Sequence, residues 1–149
     1  MVTDFSLTPV AKSVLHVDVL PKATQKAFAY FSDNNIANVH DWYLAGGTAL
    51  ALQVGHRQSV DLDFFSEHQT FNETALEKDL LATKHWETTL RQDGTIYGQY
   101  NGAKMSFIAY PFFIPSPTQL QYGNIRILPV QDIAAMKIIA ISQRGKKRD

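Results

Sequence analysis

The chain has 149 residues, with 14 Lys and Arg against 14 Asp and Glu, 45% hydrophobic residues and no cysteine. That is enough apolar material for one core, and the absence of cysteine excludes a disulfide scaffold, a cysteine nucleophile and any thiolate-bound zinc or iron–sulfur centre. A formal net charge of zero argues against a sequence-blind nucleic-acid coat, although Arg144, Lys146, Lys147 and Arg148 crowd into the last six positions and leave residues 1–143 with 10 basic against 13 acidic side chains.

Apolar runs such as Phe107 to Ile114 are far shorter than the roughly 20 residues of a membrane helix, and Met1 to Val10 lacks the layout of a signal peptide. A cytoplasmic protein with no membrane partner is expected. No repeat or linker divides residues 1–149, which read as a single domain.

In chain order, Ala27, Phe28 and Phe31 recur at helical spacing between Pro21 and the polar turn Ser32-Asp33-Asn34-Asn35. Trp42 to Ala45 is a short apolar run ending on Gly46-Gly47, and Thr48 to Val54 reads as a helix closed by Gly55. Val60 to Phe65 alternates acidic and apolar residues as a strand does, and Asn72 is placed to cap a helix over Glu73 to Ala82. Trp86 to Arg91, Thr95 to Tyr100 and Lys104 to Tyr110 read as strands joined by Asp93-Gly94 and Asn101-Gly102. Such short turns require antiparallel neighbours. Pro111, Pro115 and Pro117 interrupt regular structure, Ile125 to Leu128 reads as a further strand, and Gln131 to Gln143 as a helix. The order predicts an α+β domain, a mixed β-sheet flanked by helices.

Chemistry concentrates between residues 43 and 65. Two glycines after a strand let the backbone turn sharply and aim the free N–H groups of a helix's first turn at a ligand, a geometry suited to phosphate. Thr48 is a candidate helix cap or phosphate donor. On a strand, Asp61 and Asp63 point the same way, with Val60, Leu62 and Phe64 opposite. Carboxylates so close repel unless a cation lies between them, and Mg²⁺ suits because it takes oxygen ligands and keeps positions open for phosphate oxygens.

Leu44-Ala45-Gly46-Gly47-Thr48-Ala49-Leu50, with Gly55-His56-Arg57-x-Ser59-x-Asp61-x-Asp63-Phe64-Phe65, resembles the AbiEii-type nucleotidyltransferases, polymerase-β-like relatives found as toxins of abortive-infection toxin–antitoxin pairs. The resemblance extends to Asp132-Ile133-Ala134-Ala135-Met136-Lys137 and to Arg144-Gly145-Lys146-Lys147-Arg148-Asp149. It implies a nucleotidyltransferase fold in which Gly46, Gly47 and Thr48 hold NTP phosphates, Asp61 and Asp63 ligate Mg²⁺ and Lys137 contacts the nucleotide. Arg57 and Ser59 are candidates for added phosphate contacts. The implied partners are an NTP, tRNA as a candidate acceptor and a cognate antitoxin.

The pattern is departed from twice. Where polymerase-β-like enzymes place a third carboxylate on a neighbouring strand, Lys104-Met105-Ser106-Phe107-Ile108 offers Ser106. The AbiEii-like members use an acid of an Arg-Asp-x-x-Asp-Leu motif, of which this chain contains only Asp149, and the C-terminal helical region of the family is expected to be missing. Loss of a positioned base costs about 10²- to 10⁴-fold. A truncated, catalytically silent nucleotide- or antitoxin-binding module is therefore the alternative to an active transferase, and transfer of the γ-phosphate instead of the nucleotide is a third reading. The five histidines form no metal-binding spacing, no serine lies in a Gly-x-Ser-x-Gly context, and Tyr110, Phe112 and Phe113 are read as packing residues.

Overall fold

The computed structural model describes residues 6–10 and 14–148. Its elements in chain order are β1 (Ser6–Pro9), a 3-10 turn (Val17–Val19), α1 (Lys22–Asp33), α2 (Ile36–Val39), β2 (Tyr43–Ala45), α3 (Gly46–Val54), β3 (Leu62–Ser66) and α4 (Glu73–Ala82). The meander β4 (Trp86–Gln92), β5 (Thr95–Tyr100) and β6 (Ala103–Ala109) follows, then β7 (Thr118–Tyr122), β8 (Ile125–Ile127) and α5 (Val130–Arg148). The strands form one mixed sheet in the order β1-β7-β8-β2-β3-β6-β5-β4. This is the α+β architecture expected from the sequence.

Local signals placed most of these elements. Asn72 caps α4 by accepting the Ala75 N–H at 2.9 Å, and Gly55 ends α3 in the left-handed region. Within the meander the pairs β4/β5 and β5/β6 are antiparallel as the turns require. Two strands were not foreseen. In β7, Leu120 is the one aliphatic residue among Thr118, Gln119, Gln121 and Tyr122, and β1 pairs parallel with it across more than a hundred residues of sequence. Helix α5 runs to Arg148, beyond the expected end at Gln143.

One strand expectation needs correction. β3 begins at Leu62, so Val60 does not share the apolar face: it is exposed, and its carbonyl accepts the Thr24 hydroxyl at 2.9 Å. Leu62 and Phe64 do turn inward. The register aligns Leu44, Phe64, Phe107 and Ile96 across four strands on the core face, where the rings of Phe64 and Phe107 stack with centroids 5.3 Å apart. Helices α1 and α4, carrying buried Phe28, Phe31, Leu76 and Leu80, complete this core.

The same pleat puts Ala45, Asp63, Ser106, Tyr97 and Leu90 in a row on the opposite face. Helices α3 and α5 pack together beside the β2 end of that row, whereas Tyr97 and Leu90 at the meander end are exposed. No helix among the described residues is long and apolar enough to cross a membrane.

Candidate active site

The site begins at the junction of β2 and α3. Ala45 is extended, and Gly46 reverses the chain with φ +77°, a conformation costly for any residue bearing a Cβ. A Cβ at this position would also stand 3.3 Å from Asp63 Oδ2. Gly46 thus allows both the turn and the close approach of the first turn of α3 to the acidic strand. A Cβ at Gly47 would fall 2.6 Å from Arg57 Nη2, so the guanidinium lies over the start of the helix. Ala45 is the capping residue and makes no side-chain bond to the helix.

Thr48 is therefore not the cap. Its buried hydroxyl donates to the Asp61 carbonyl and shares a 2.6 Å hydrogen bond with the Ser59 hydroxyl. This fastens α3 to the segment that delivers Asp61 and Asp63. Of the two hydroxyls expected near phosphate, both are engaged with one another.

Asp61 is exposed just before β3, and Asp63 is half-buried one residue into it. Both line a cavity of about 390 Å³ over the meander, together with Lys104, Ser106, Tyr97 and Leu90. Burial pushes the Asp63 carboxyl above the ordinary aspartate range and the Asp61 charge adds to the rise, while a hydrogen bond from the Ser106 hydroxyl, 2.8 Å to Oδ1, opposes it. Ser106 stands directly opposite Asp63 in the parallel β3/β6 pairing, the place where the sequence comparison put it.

The pair fits a divalent cation. Both donors are hard oxygens, and the desolvated negative charge at Asp63 is the kind that a bound cation relieves. No group of three or more His, Cys, Asp or Glu suited to a metal occurs among the described residues. The remaining ligands of an ion here would be water and phosphate oxygens.

Lys137 reaches the same region from α5. It shares a cavity of about 290 Å³ with Gly46, Gly47 and Arg57, whose apolar walls include Leu50, Phe65, Tyr110, Ile133 and Met136. The structure thus gathers Gly46, Gly47, Arg57 and Lys137 around one cavity and Asp61 and Asp63 on the next, joined where Gly46 meets Asp63. Asp149 lies outside the described residues. Of the aromatic cluster, Phe113 is buried as expected, but Phe112 is exposed, edge-on to Tyr110, and Tyr110 also walls the cavity of Lys137.

Lys104 and Tyr97, which line the cavity of the two acids, were not among the expected residues. The signal for both was present: Lys104 precedes Ser106 by two on one strand, and the Asn101-Gly102 turn pairs Ser106 with Tyr97.

Residues 34–149 match the family described as nucleotidyl transferase AbiEii toxin, type IV toxin–antitoxin system. The chain belongs to this family. An uncharacterized protein of Aquifex aeolicus (strain VF5) is 37% identical over 114 residues, which cover 74% of this chain and 54% of that protein. The chain thus spans about half the length of this curated relative. Among solved structures, a tRNA-processing enzyme in an apo form aligns with a TM-score of 0.48 at 19% identity, over 78% of this chain and 35% of the other. A tRNA nucleotidyltransferase complexed with a primer tRNA and an incoming ATP analogue aligns with a TM-score of 0.43 at 15% identity, over 68% and 36%.

Proposed function

We propose that this chain forms the core of a Mg²⁺-dependent nucleotidyltransferase that moves a nucleotide from an NTP to an acceptor hydroxyl, with tRNA as the candidate acceptor and an antitoxin as the candidate protein partner. The observation that carries this reading is the approach of the Gly46-Gly47 turn to Asp63, with Asp61 beside it and Lys137 across the adjoining cavity.

In this reading the triphosphate lies over the first turn of α3, where backbone N–H groups and the helix dipole favour anionic oxygens. Thr48 contributes through its backbone, since its hydroxyl is held by Asp61 and Ser59. Arg57 and Lys137 neutralise the pyrophosphate that leaves. Asp61 and Asp63 hold Mg²⁺, which supplies charge neutralisation and alignment of the reacting phosphorus when bound. Ser106 orients Asp63 and is too weakly basic to deprotonate the acceptor.

Incubation with α-labelled NTP, Mg²⁺ and bulk tRNA tests the reading. Label should transfer to RNA, and Asp61→Ala and Asp63→Ala should each abolish transfer. The second reading, a binding module without turnover, is favoured by Ser106 standing where a third acid would serve. It predicts Mg²⁺- and NTP-dependent thermal stabilisation with no label transferred. Transfer of label from the γ position alone would identify a phosphoryl transferase instead.

A further inference from the structure

The phosphate-binding elements and the open meander lie on opposite sides of Asp63. In the strand order β2-β3-β6-β5-β4, Gly46 follows β2, whereas Ser106, Tyr97 and Leu90 continue away from Asp63 on the other side. An in-line displacement needs its nucleophile to enter opposite the departing pyrophosphate. If the triphosphate occupies the Lys137 cavity, the acceptor enters over the meander. This inference rests on the nucleotidyltransfer reading.

The meander side carries two neighbouring cavities. The cavity of about 390 Å³ that contains both aspartates adjoins a second of about 280 Å³, and the two share Asp61 and Lys104. The second extends past Gly102 to the first turn of α1 at Ala23 and Thr24. Between them the two cavities are lined from Leu90 and Tyr97, past the acids, to Gly102 and the start of α1.

The lining chemistry selects the occupant. Lys104 is exposed, has no ion-pair partner among the described residues and is the one cation of both cavities. Among the described Phe, Tyr and Trp side chains only Tyr97 and Phe113 pack against no other ring, and Phe113 is buried. Tyr97 is 39% exposed beside Leu90. An exposed, uncommitted aromatic residue next to an uncommitted lysine is the pairing by which single-stranded nucleic acid is held, base on ring and phosphate on cation.

We propose that this groove binds the single-stranded 3′ end of a nucleic acid, with Tyr97 stacking a base and Lys104 holding a backbone phosphate so that the terminal hydroxyl reaches the Asp61–Asp63 pair. In the step so arranged, the 3′ oxygen bonds to the α-phosphorus of the NTP. The bond from that phosphorus to the oxygen bridging the β-phosphate breaks, pyrophosphate leaves with the electron pair, and the hydroxyl proton passes to solvent.

Fluorescence anisotropy with a 5′-fluorescein single-stranded RNA decamer bearing a free 3′ hydroxyl tests the proposal, in parallel with binding of a fluorescent ribose-labelled ATP and GTP in Mg²⁺. The chain should bind the decamer, and Tyr97→Ala and Lys104→Ala should each weaken it at least about fivefold. Tyr97→Phe and Lys104→Arg should restore it, with nucleotide binding unchanged throughout. Nucleotide binding without RNA binding, or RNA binding that neither alanine variant weakens, overturns the groove assignment while leaving the nucleotidyltransferase reading in place. RNA binding lost in both variants but no nucleotide binding upholds the groove and removes that reading. Binding of neither probe removes both.

Discussion

Gly46 and Asp63 set the tightest constraint in the site, because each limits the other. At φ +77° a non-glycine residue pays roughly 1–2 kcal/mol in backbone strain alone. Gly46→Ala adds a methyl 3.3 Å from Asp63 Oδ2. It should lower stability to urea by at least about that amount, and the displaced carboxylate should weaken stabilisation by Mg²⁺ in thermal melts. Asp63 itself carries a pH signature. Its folded carboxyl titrates above the ordinary aspartate value, chiefly through burial, so the folded state binds this proton more tightly than the unfolded chain does. Its stabilising contribution is complete below the ordinary aspartate range and is lost as pH rises through the raised value. In chelator, Asp63→Asn should therefore melt at a higher temperature than the parent at pH 7, with the gap closing as pH falls through the raised Asp63 value. A gap independent of pH would contradict the burial of the charge. Ser106→Ala acts in the opposite sense, and removal of a hydrogen bond to a charged group should cost about 1.5–3 kcal/mol at neutral pH and less in acid.

Elements meet the site through few contacts, and one of them is side-chain built. The Thr48 hydroxyl joins α3 to the Ser59–Asp61 segment, so Thr48→Val, nearly equal in volume, leaves the Asp61 carbonyl and the Ser59 hydroxyl without this partner. A cost of about 1–3 kcal/mol is expected in chemical denaturation. The NTP-dependent melting shift should fall as well, because Asp61 is held by this segment. The meander has its own fixed point at Gly98, where a Cβ would lie 2.3 Å from Trp86 Cζ2 and 2.4 Å from the Glu87 carbonyl oxygen. Gly98→Ala should destabilise by roughly 1–3 kcal/mol through overpacking. Hydrogen exchange would show the loss first in β4 and β5, the outer pair of the sheet. The element boundaries most legible in the sequence were those with a chemical marker at the end: Asn72 before α4, Gly55 after α3, and the Asp93-Gly94 and Asn101-Gly102 turns. β1 carries no such marker and owes its place to pairing with β7, whose own hairpin partner is β8 across Gly123-Asn124.

The whole molecule assembles the candidate site from distant parts of the chain, with residues 46, 47, 57, 61, 63, 106 and 137 meeting around two adjoining cavities. Because Lys137 is exposed, its removal should leave stability unchanged. Lys137→Ala is expected to weaken NTP binding by roughly tenfold or more, the worth of a charge-assisted contact, in a melting-shift titration. Unchanged affinity would place the triphosphate elsewhere. The sequence by itself determined what depends on neighbours along the chain: the class of fold, the glycine turn, the inward face of Leu62 and Phe64, and the family to which these motifs belong. Only the tertiary structure decided that Thr48 and Ser59 spend their hydroxyls on each other, that Val60 leaves the strand face, and that β6 lies parallel to β3 with Ser106 opposite Asp63. The reason is physical: dihedral preferences and side-chain period are local, whereas the partner of a hydroxyl and the neighbour of a strand are fixed by which distant segments the buried face brings together.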